Sequence, residues 1–206
     1  MTIIYLIRHS LQLRDNGIIN SEDSDQLINE KIILSVEGEE KAKKLSEIDE
    51  LQNIDVIWSS SYVRAKQTAK YIAEKNNLNI NIDSNLNERK LGDLEKLREL
   101  GKNKKHSFTE EQLLDNNLKN AFGESMIDVE KRMDLTINKV IEENKNKRIV
   151  IVSHGAALRF YLNKFCKLNE NVELEYNDTV LDFSSPCIIK VTLNNKTIIN
   201  IENIKF

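Results

Sequence analysis

Six short apolar runs punctuate this chain, at positions 3–7, 54–58, 80–82, 149–153, 187–193 and 198–204. Rich in Ile and Val, each has the length of a strand. Between several of them, apolar positions recur at spacings of three and four, as in a helix with one buried stripe. In 37–48 that stripe is Ala42, Leu45 and Ile48; in 61–76 it is Tyr62, Ala65, Ala69, Ile72 and Ala73. The clearest helix, 125–144, carries Met126, Val129, Met133, Ile137, Val140 and Ile141. Ser125 with Asp128 reads as a variant capping box at its start. Leu158, Tyr161, Leu162 and Phe165 mark a further helix.

Strands alternating with helices predict an α/β fold, a three-layer αβα sandwich with helices on both faces of a mostly parallel, mixed sheet. The last two strands are separated only by 194–196, which predicts a C-terminal antiparallel hairpin. Residues 1–206 read as one domain. Two stretches resist the pattern. Positions 11–33 are polar and irregular, and 93–123 are charged with weak helical signals, so both read as variable loops or a lid.

Composition narrows the setting. The 206 residues carry a formal net charge of −3, so overall charge offers no grip on nucleic acid. No run approaches the roughly 20 apolar residues of a membrane span. The first apolar run breaks off at Arg8 and His9 and lacks the features of a signal peptide, so a cytoplasmic location is expected. Cys166 and Cys187 show neither metal-like nor redox-like spacing and read as buried free thiols. The composition leaves a homodimer open.

Chemistry concentrates where apolar runs end. Two of the three histidines, His9 and His154, each follow such a run, and in an open α/β sheet ligands gather at the carboxyl ends of strands. A neutral imidazole is a nucleophile toward phosphorus, and Arg8 beside His9 offers a planar fork for phosphate oxygens. Gly155 permits close backbone approach at a helix start, which favours an anion. Arg64 follows the serine-rich turn of Ser59, Ser60 and Ser61, near the same edge. Glu88 lies in a loop after the run at 80–82 and could protonate a departing alkoxide. Each residue also has an ordinary reading: a hydrogen-bonded strand-end histidine, a surface helix arginine, a solvated loop carboxylate. His106, within the basic stretch 102–106, reads as part of a solvated patch.

Taken in order, these segments resemble the histidine phosphatase superfamily, also called phosphoglycerate-mutase-like. Leu6-Ile7-Arg8-His9 is similar to its opening Arg-His-Gly motif, and Leu34 to Ala42 to its Leu-Thr-x-x-Gly-x-x-Gln-Ala segment. Ser59 to Ala69 resembles Ser-Ser-Pro-x-x-Arg-Ala-x-Gln-Thr-Ala. Leu86-Asn87-Glu88-Arg89 resembles the acid-bearing loop, Gly123-Glu124-Ser125 a helix entry, and Val152-Ser153-His154-Gly155 the closing motif. The resemblance implies a phosphatase acting on a small phosphorylated metabolite without metal or other cofactor. His9 would carry the phosphoryl group and Glu88 would donate the proton. Arg8, Arg64 and His154 would clamp the phosphoryl oxygens, with Gly155 in the binding set.

Three departures stand out. Ser10 replaces the usual glycine and is expected to narrow the pocket or shift the backbone. Asp15 and Asn16 stand near where an asparagine is usual, and Ser61 stands where proline is usual, a change read as one of turn stiffness. Other readings stay open: a mutase returning the phosphoryl group to a second hydroxyl, a phosphohistidine-protein phosphatase, or a non-catalytic phosphate-binding protein. A two-histidine metal hydrolase is disfavoured, because the chain has no His-x-x-x-His motif.

Overall fold

The computed structural model describes residues 1–13, 22–100 and 105–206. Four parallel strands make up one side of a six-stranded sheet: β1 (Thr2–Arg8), β2 (Val56–Ser59), β3 (Ile80–Ile82) and β4 (Arg148–Ser153). The hairpin β8 (Cys187–Asn194) and β9 (Thr197–Ile204) closes the sheet antiparallel, giving the order β3-β2-β4-β1-β8-β9. The α/β class and the C-terminal hairpin therefore match the pattern in the sequence. The chain also has a second, three-stranded antiparallel sheet of β5 (Lys167–Leu168), β6 (Leu174–Tyr176) and β7 (Thr179–Val180). Strands of two or three residues are too short for an alternating pattern to register.

Alternation along the central strands divides two cores. Tyr5, Ile7, Val150 and Val152 face one side, with Leu45 of α2 (Val36–Leu45) and Ala65, Ala69 and Ile72 of α3 (Val63–Asn76). Ile4, Leu6, Ile149 and Ile151 face the other, with Val129, Met133, Ile137 and Val140 of α6 (Met126–Glu143) and Leu158 and Phe160 of α7 (Gly155–Asn163). Each fully buried Leu, Ile or Met contributes about 1.5–3 kcal/mol of transfer free energy, so these two cores hold the layers together.

The helix ends follow local chemistry. Both halves of the Ser125–Asp128 capping box form. The first helix face stops at Leu45, short of Ile48, because Ser46 turns its hydroxyl onto Lys43 O at 2.7 Å. The two irregular stretches contain short helices: α1 (Asp25–Lys31) in the first, α4 (Leu94–Leu100) and α5 (Phe108–Leu114) in the second. Seven residues are two turns, too few to establish a stripe. Their capping residues, Ser24 for α1 and Ser107 with Glu110 for α5, were the available signal. Cys187 is buried, whereas Cys166 is only partly so. No helix among the described residues is long and apolar enough to cross a membrane.

Candidate active site

Register and alternation bring the two strand-end histidines together. In the parallel pair β1–β4, Ile7 sits opposite Val152 and Arg8 opposite Ser153. The ladder continues one step further, with His9 N donating to Ser153 O at 3.0 Å. His9 and His154 thus fall at the same level, in phase with the Tyr5/Ile7 and Val150/Val152 face. Their ring centroids lie 5.0 Å apart. A slip of one residue in either strand would send its histidine to the opposite face.

His9 is held on every side. Its carbonyl accepts from Ser185 Oγ at 2.7 Å, and its Nδ1 lies 2.7 Å from Ser10 O. A carbonyl only accepts, so Nδ1 carries the proton and Nε2 keeps a lone pair. That lone pair accepts from Arg64 Nε at 3.0 Å. Burial, and secondarily the Arg64 charge, pushes the His9 pKa down to about 3, against a partial upward pull from the Ser10 carbonyl. The imidazole is therefore neutral at ordinary pH.

Arg64 reaches this position from the first turn of α3. It is almost fully buried, stacks on Tyr62 at 5.0 Å and donates through Nη1 to Asn29 O at 2.5 Å. Thr68, one turn further on, ties helix to strand. Its hydroxyl donates to Arg64 O at 2.8 Å and accepts from Ser10 N at 2.9 Å.

His154 is fully enclosed and does not line the open cleft. It packs edge-on against Tyr62 at 4.9 Å, and its Nε2 lies 2.7 Å from Ser60 Oγ. Its Nδ1 has no protein partner. Burial, then the neighbouring His9 and Arg64, holds its pKa well below the usual histidine value.

Arg8 and Glu88 complete the group from the other side of the strand ends. Arg8 Nη1 donates to the Phe183 carbonyl, and its Nε is unpartnered. Gly155 borders this guanidinium rather than the cleft: a Cβ there would stand 3.0 Å from Arg8 Cζ. The acceptor at the start of α7 is the protein's own. Glu88 accepts from Ala156 N at 3.2 Å and Ala157 N at 3.0 Å, as well as from Arg89 N at 2.9 Å.

Arg8, His9, Arg64 and Glu88 line one cleft of about 840 Å³, within the range of about 300–1,000 Å³ common to small-molecule sites. Its remaining wall includes Gln26 and Asn29 of α1, Lys90, Leu91 and, nearly fully exposed, Phe122. His106 lies outside it, 3.8 Å from Glu110.

The departures resolve differently. The Ser10 side chain does not enter the cleft; it is buried and donates to Gly38 O at 2.7 Å. Gly38 is itself confined, since a Cβ there would stand 2.0 Å from Leu11 O. Ser61 does more than soften a turn. Its N–H, which a proline would lack, donates to Asn87 Oδ1 at 2.9 Å. Asp15 and Asn16 lie outside the described residues, as does part of the 102–106 stretch.

Asn87 is a residue the sequence pattern missed. Its Oδ1 also lies 2.8 Å from Ser60 Oγ, so it links the His154 environment to the Glu88 loop. Adjacency to Glu88 was the only signal for it.

Known proteins share this fold. The histidine phosphatase superfamily (branch 1) model matches residues 4–196. A probable phosphoglycerate mutase GpmB of Erwinia tasmaniensis is 27% identical over 175 residues, covering 84% of this chain and 79% of the relative. Its namesake in Salmonella arizonae is 29% identical over 162 residues, covering 77% and 72%. Among solved structures, a mycobacterial glucosyl-3-phosphoglycerate phosphatase superposes with a TM-score of 0.69 at 19% identity, covering 98% of this chain and 96% of the other. A phosphoserine phosphatase mutant of Entamoeba histolytica gives 0.59 at 18%, covering 98% and 96%. These likenesses establish the shared fold, and the match to the family model establishes membership: the chain belongs to the histidine phosphatase superfamily, branch 1.

Proposed function

We propose that this protein is a phosphatase that hydrolyses a small phosphorylated metabolite through a phosphohistidine on His9. The observation that carries the reading is the His9–Arg64 contact: a neutral imidazole at the cleft whose Nε2 lone pair is held by the buried Arg64 guanidinium. In the first step the Arg64 N–H turns from His9 Nε2 to a phosphoryl oxygen, and the freed Nε2 lone pair attacks phosphorus. The ester P–O bond breaks, and Glu88 delivers its proton to the leaving oxygen. Arg8 and Arg64 hold the phosphoryl oxygens, while His154, whose Nε2–H donates to Ser60 Oγ because that hydroxyl gives its own proton to Asn87 Oδ1, packs behind the His9 ring rather than on the substrate. In the second step water attacks the phosphorus of phospho-His9, Glu88 takes up the water proton, the P–N bond breaks with its electron pair returning to Nε2, and phosphate leaves. The charge that builds on the phosphoryl group is met by fixed cations and donors, so the residues present supply the field the transfer needs.

The direct test compares the protein with His9→Ala on an aryl phosphate. The expected result is a loss of at least about 10³-fold in kcat, together with loss of an acid-labile phosphoprotein on rapid quench. Equal turnover by the two proteins overturns the mechanism. A second reading is favoured by the relatives named phosphoglycerate mutase: a mutase returning the phosphoryl group to a second hydroxyl. Isomerisation of a phosphoglycerate without release of phosphate would select it.

A further inference from the structure

Arg132, on α6, stands outside the cleft, yet all five of its N–H donors are engaged close to it. Nε and Nη2 grip Glu124 as a fork, at 2.8 and 3.0 Å. Nη1 donates to Asn85 O at 2.6 Å and Asn87 O at 2.8 Å, and Nη2 donates to Glu88 O at 3.2 Å. Glu124 closes the arrangement, accepting from Lys90 N at 2.8 Å while its own N–H donates to Lys90 O at 2.9 Å. One ion pair therefore fixes the backbone on both sides of Glu88.

The segment it holds needs such a device. After the short 3₁₀ turn Ser84–Leu86, the chain has no regular secondary structure until α4. The Glu88 carboxylate is located by two amides of α7, so its position depends on the loop backbone keeping its height against that helix. The guanidinium and carboxylate are both largely shielded, at 16% and 18% side-chain exposure, where charge-assisted contacts are stronger than at an open surface. Nothing in the cleft asks for a cation at position 132. Its donors are spent on three loop carbonyls and on the carboxylate that binds Lys90.

We propose that Arg132, locked by Glu124, is a positioning residue for Glu88: it sets the placement of the proton donor without touching substrate. This rests on the reading of Glu88 as the acid. A misplacement of about 1 Å costs on the order of 10²-fold in rate, so the loss should appear in kcat. It should also appear only where the proton matters. An alkyl leaving group needs protonation, whereas a nitrophenolate leaves without it.

The experiment measures Arg132→Ala and Glu88→Gln on an alkyl phosphomonoester and on p-nitrophenyl phosphate. The expected result for Arg132→Ala is a kcat loss of about 10²-fold on the alkyl ester and within about threefold on the nitrophenyl ester, with KM nearly unchanged. In the Glu88→Gln background, Arg132→Ala should add nothing on the alkyl ester. Low concentrations of guanidinium should restore part of the alkyl activity of Arg132→Ala. Should that variant fail to fold, Glu124→Gln keeps the shape and should show the same selectivity at about tenfold. Equal losses on both esters, with Glu88→Gln selective, overturn the positioning role alone. Equal losses in Glu88→Gln itself overturn the acid assignment beneath it.

Discussion

The floor of the cleft and its wall are built by opposite rules. On the floor, His9 and, enclosed behind it, His154 sit at the ends of two hydrogen-bonded parallel strands, and Arg64 sits in the first turn of a 14-residue helix. All three are nearly or wholly buried, and most of their polar atoms have protein partners. The wall is made of a seven-residue helix, the loop after Glu88 and Phe122, which is 93% exposed with φ at 62°. The difference separates two jobs. Charge placement tolerates little displacement and belongs on regular elements; a surface that meets the variable part of a ligand gains from irregular chain that packing does not dictate.

The largest expected contrast comes from the floor. Arg64→Ala should lower kcat/KM by about 10²–10³-fold on every phosphomonoester tested, because it removes a preorganised cation. A loss restricted to one substrate would mean that Arg64 belongs functionally to the wall. Acid titration is the next test. His9 and His154 are both held below the ordinary histidine value, so the unfolded chain binds protons that the folded chain refuses. For His9, stability is complete above about pH 6.5 and falls as pH drops from there toward 3, by roughly 1.4 kcal/mol per pH unit, and His154 adds a loss of the same sign. Urea melts from pH 7 to pH 4 should show this slope, reduced in His9→Gln; an unchanged slope in that variant would contradict a burial-depressed His9.

On the wall, Phe122→Ala should change kcat/KM by no more than about tenfold, mostly through KM and differently for each substrate, with stability within about 0.5 kcal/mol. A uniform fall in kcat would erase the division drawn here. The smallest effect is expected from Ser10→Gly. Loss of its bond to Gly38 should cost about 1 kcal/mol by thermal melt, while kcat/KM stays within about threefold, since the hydroxyl faces away from the cleft.

The same division explains how much could be read beforehand. His9 and His154 announce themselves because a buried strand writes a continuous apolar run that stops where the site begins. Arg64 and Glu88 were legible as residues in ordered motifs, but the distances that join them depend on register, which no local pattern encodes. The short helices of the wall, and the β5–β6–β7 sheet, lie below the length at which periodicity becomes visible. Ser10 taught a different lesson. Its side chain was expected at the pocket, and only the tertiary approach of Gly38 to Leu11 shows why it turns away. Arg132 had no local signature, because its partners lie more than 40 positions earlier in the chain, apart from Glu124.

The central sheet is also a partition. His9 and His154 project with the core shared by α2 and α3, while Arg8 and Glu88 each lie against the start of α7, whose core includes α6. The cleft is the seam where two separately packed layers must agree on position. Activity therefore behaves as a weakest-link quantity: loosening either layer misaligns the seam even while the other stays intact. In a heat-inactivation series of core variants, residual turnover will follow whichever layer yields first, and variants in the two layers will shorten the protein's lifetime by separate routes.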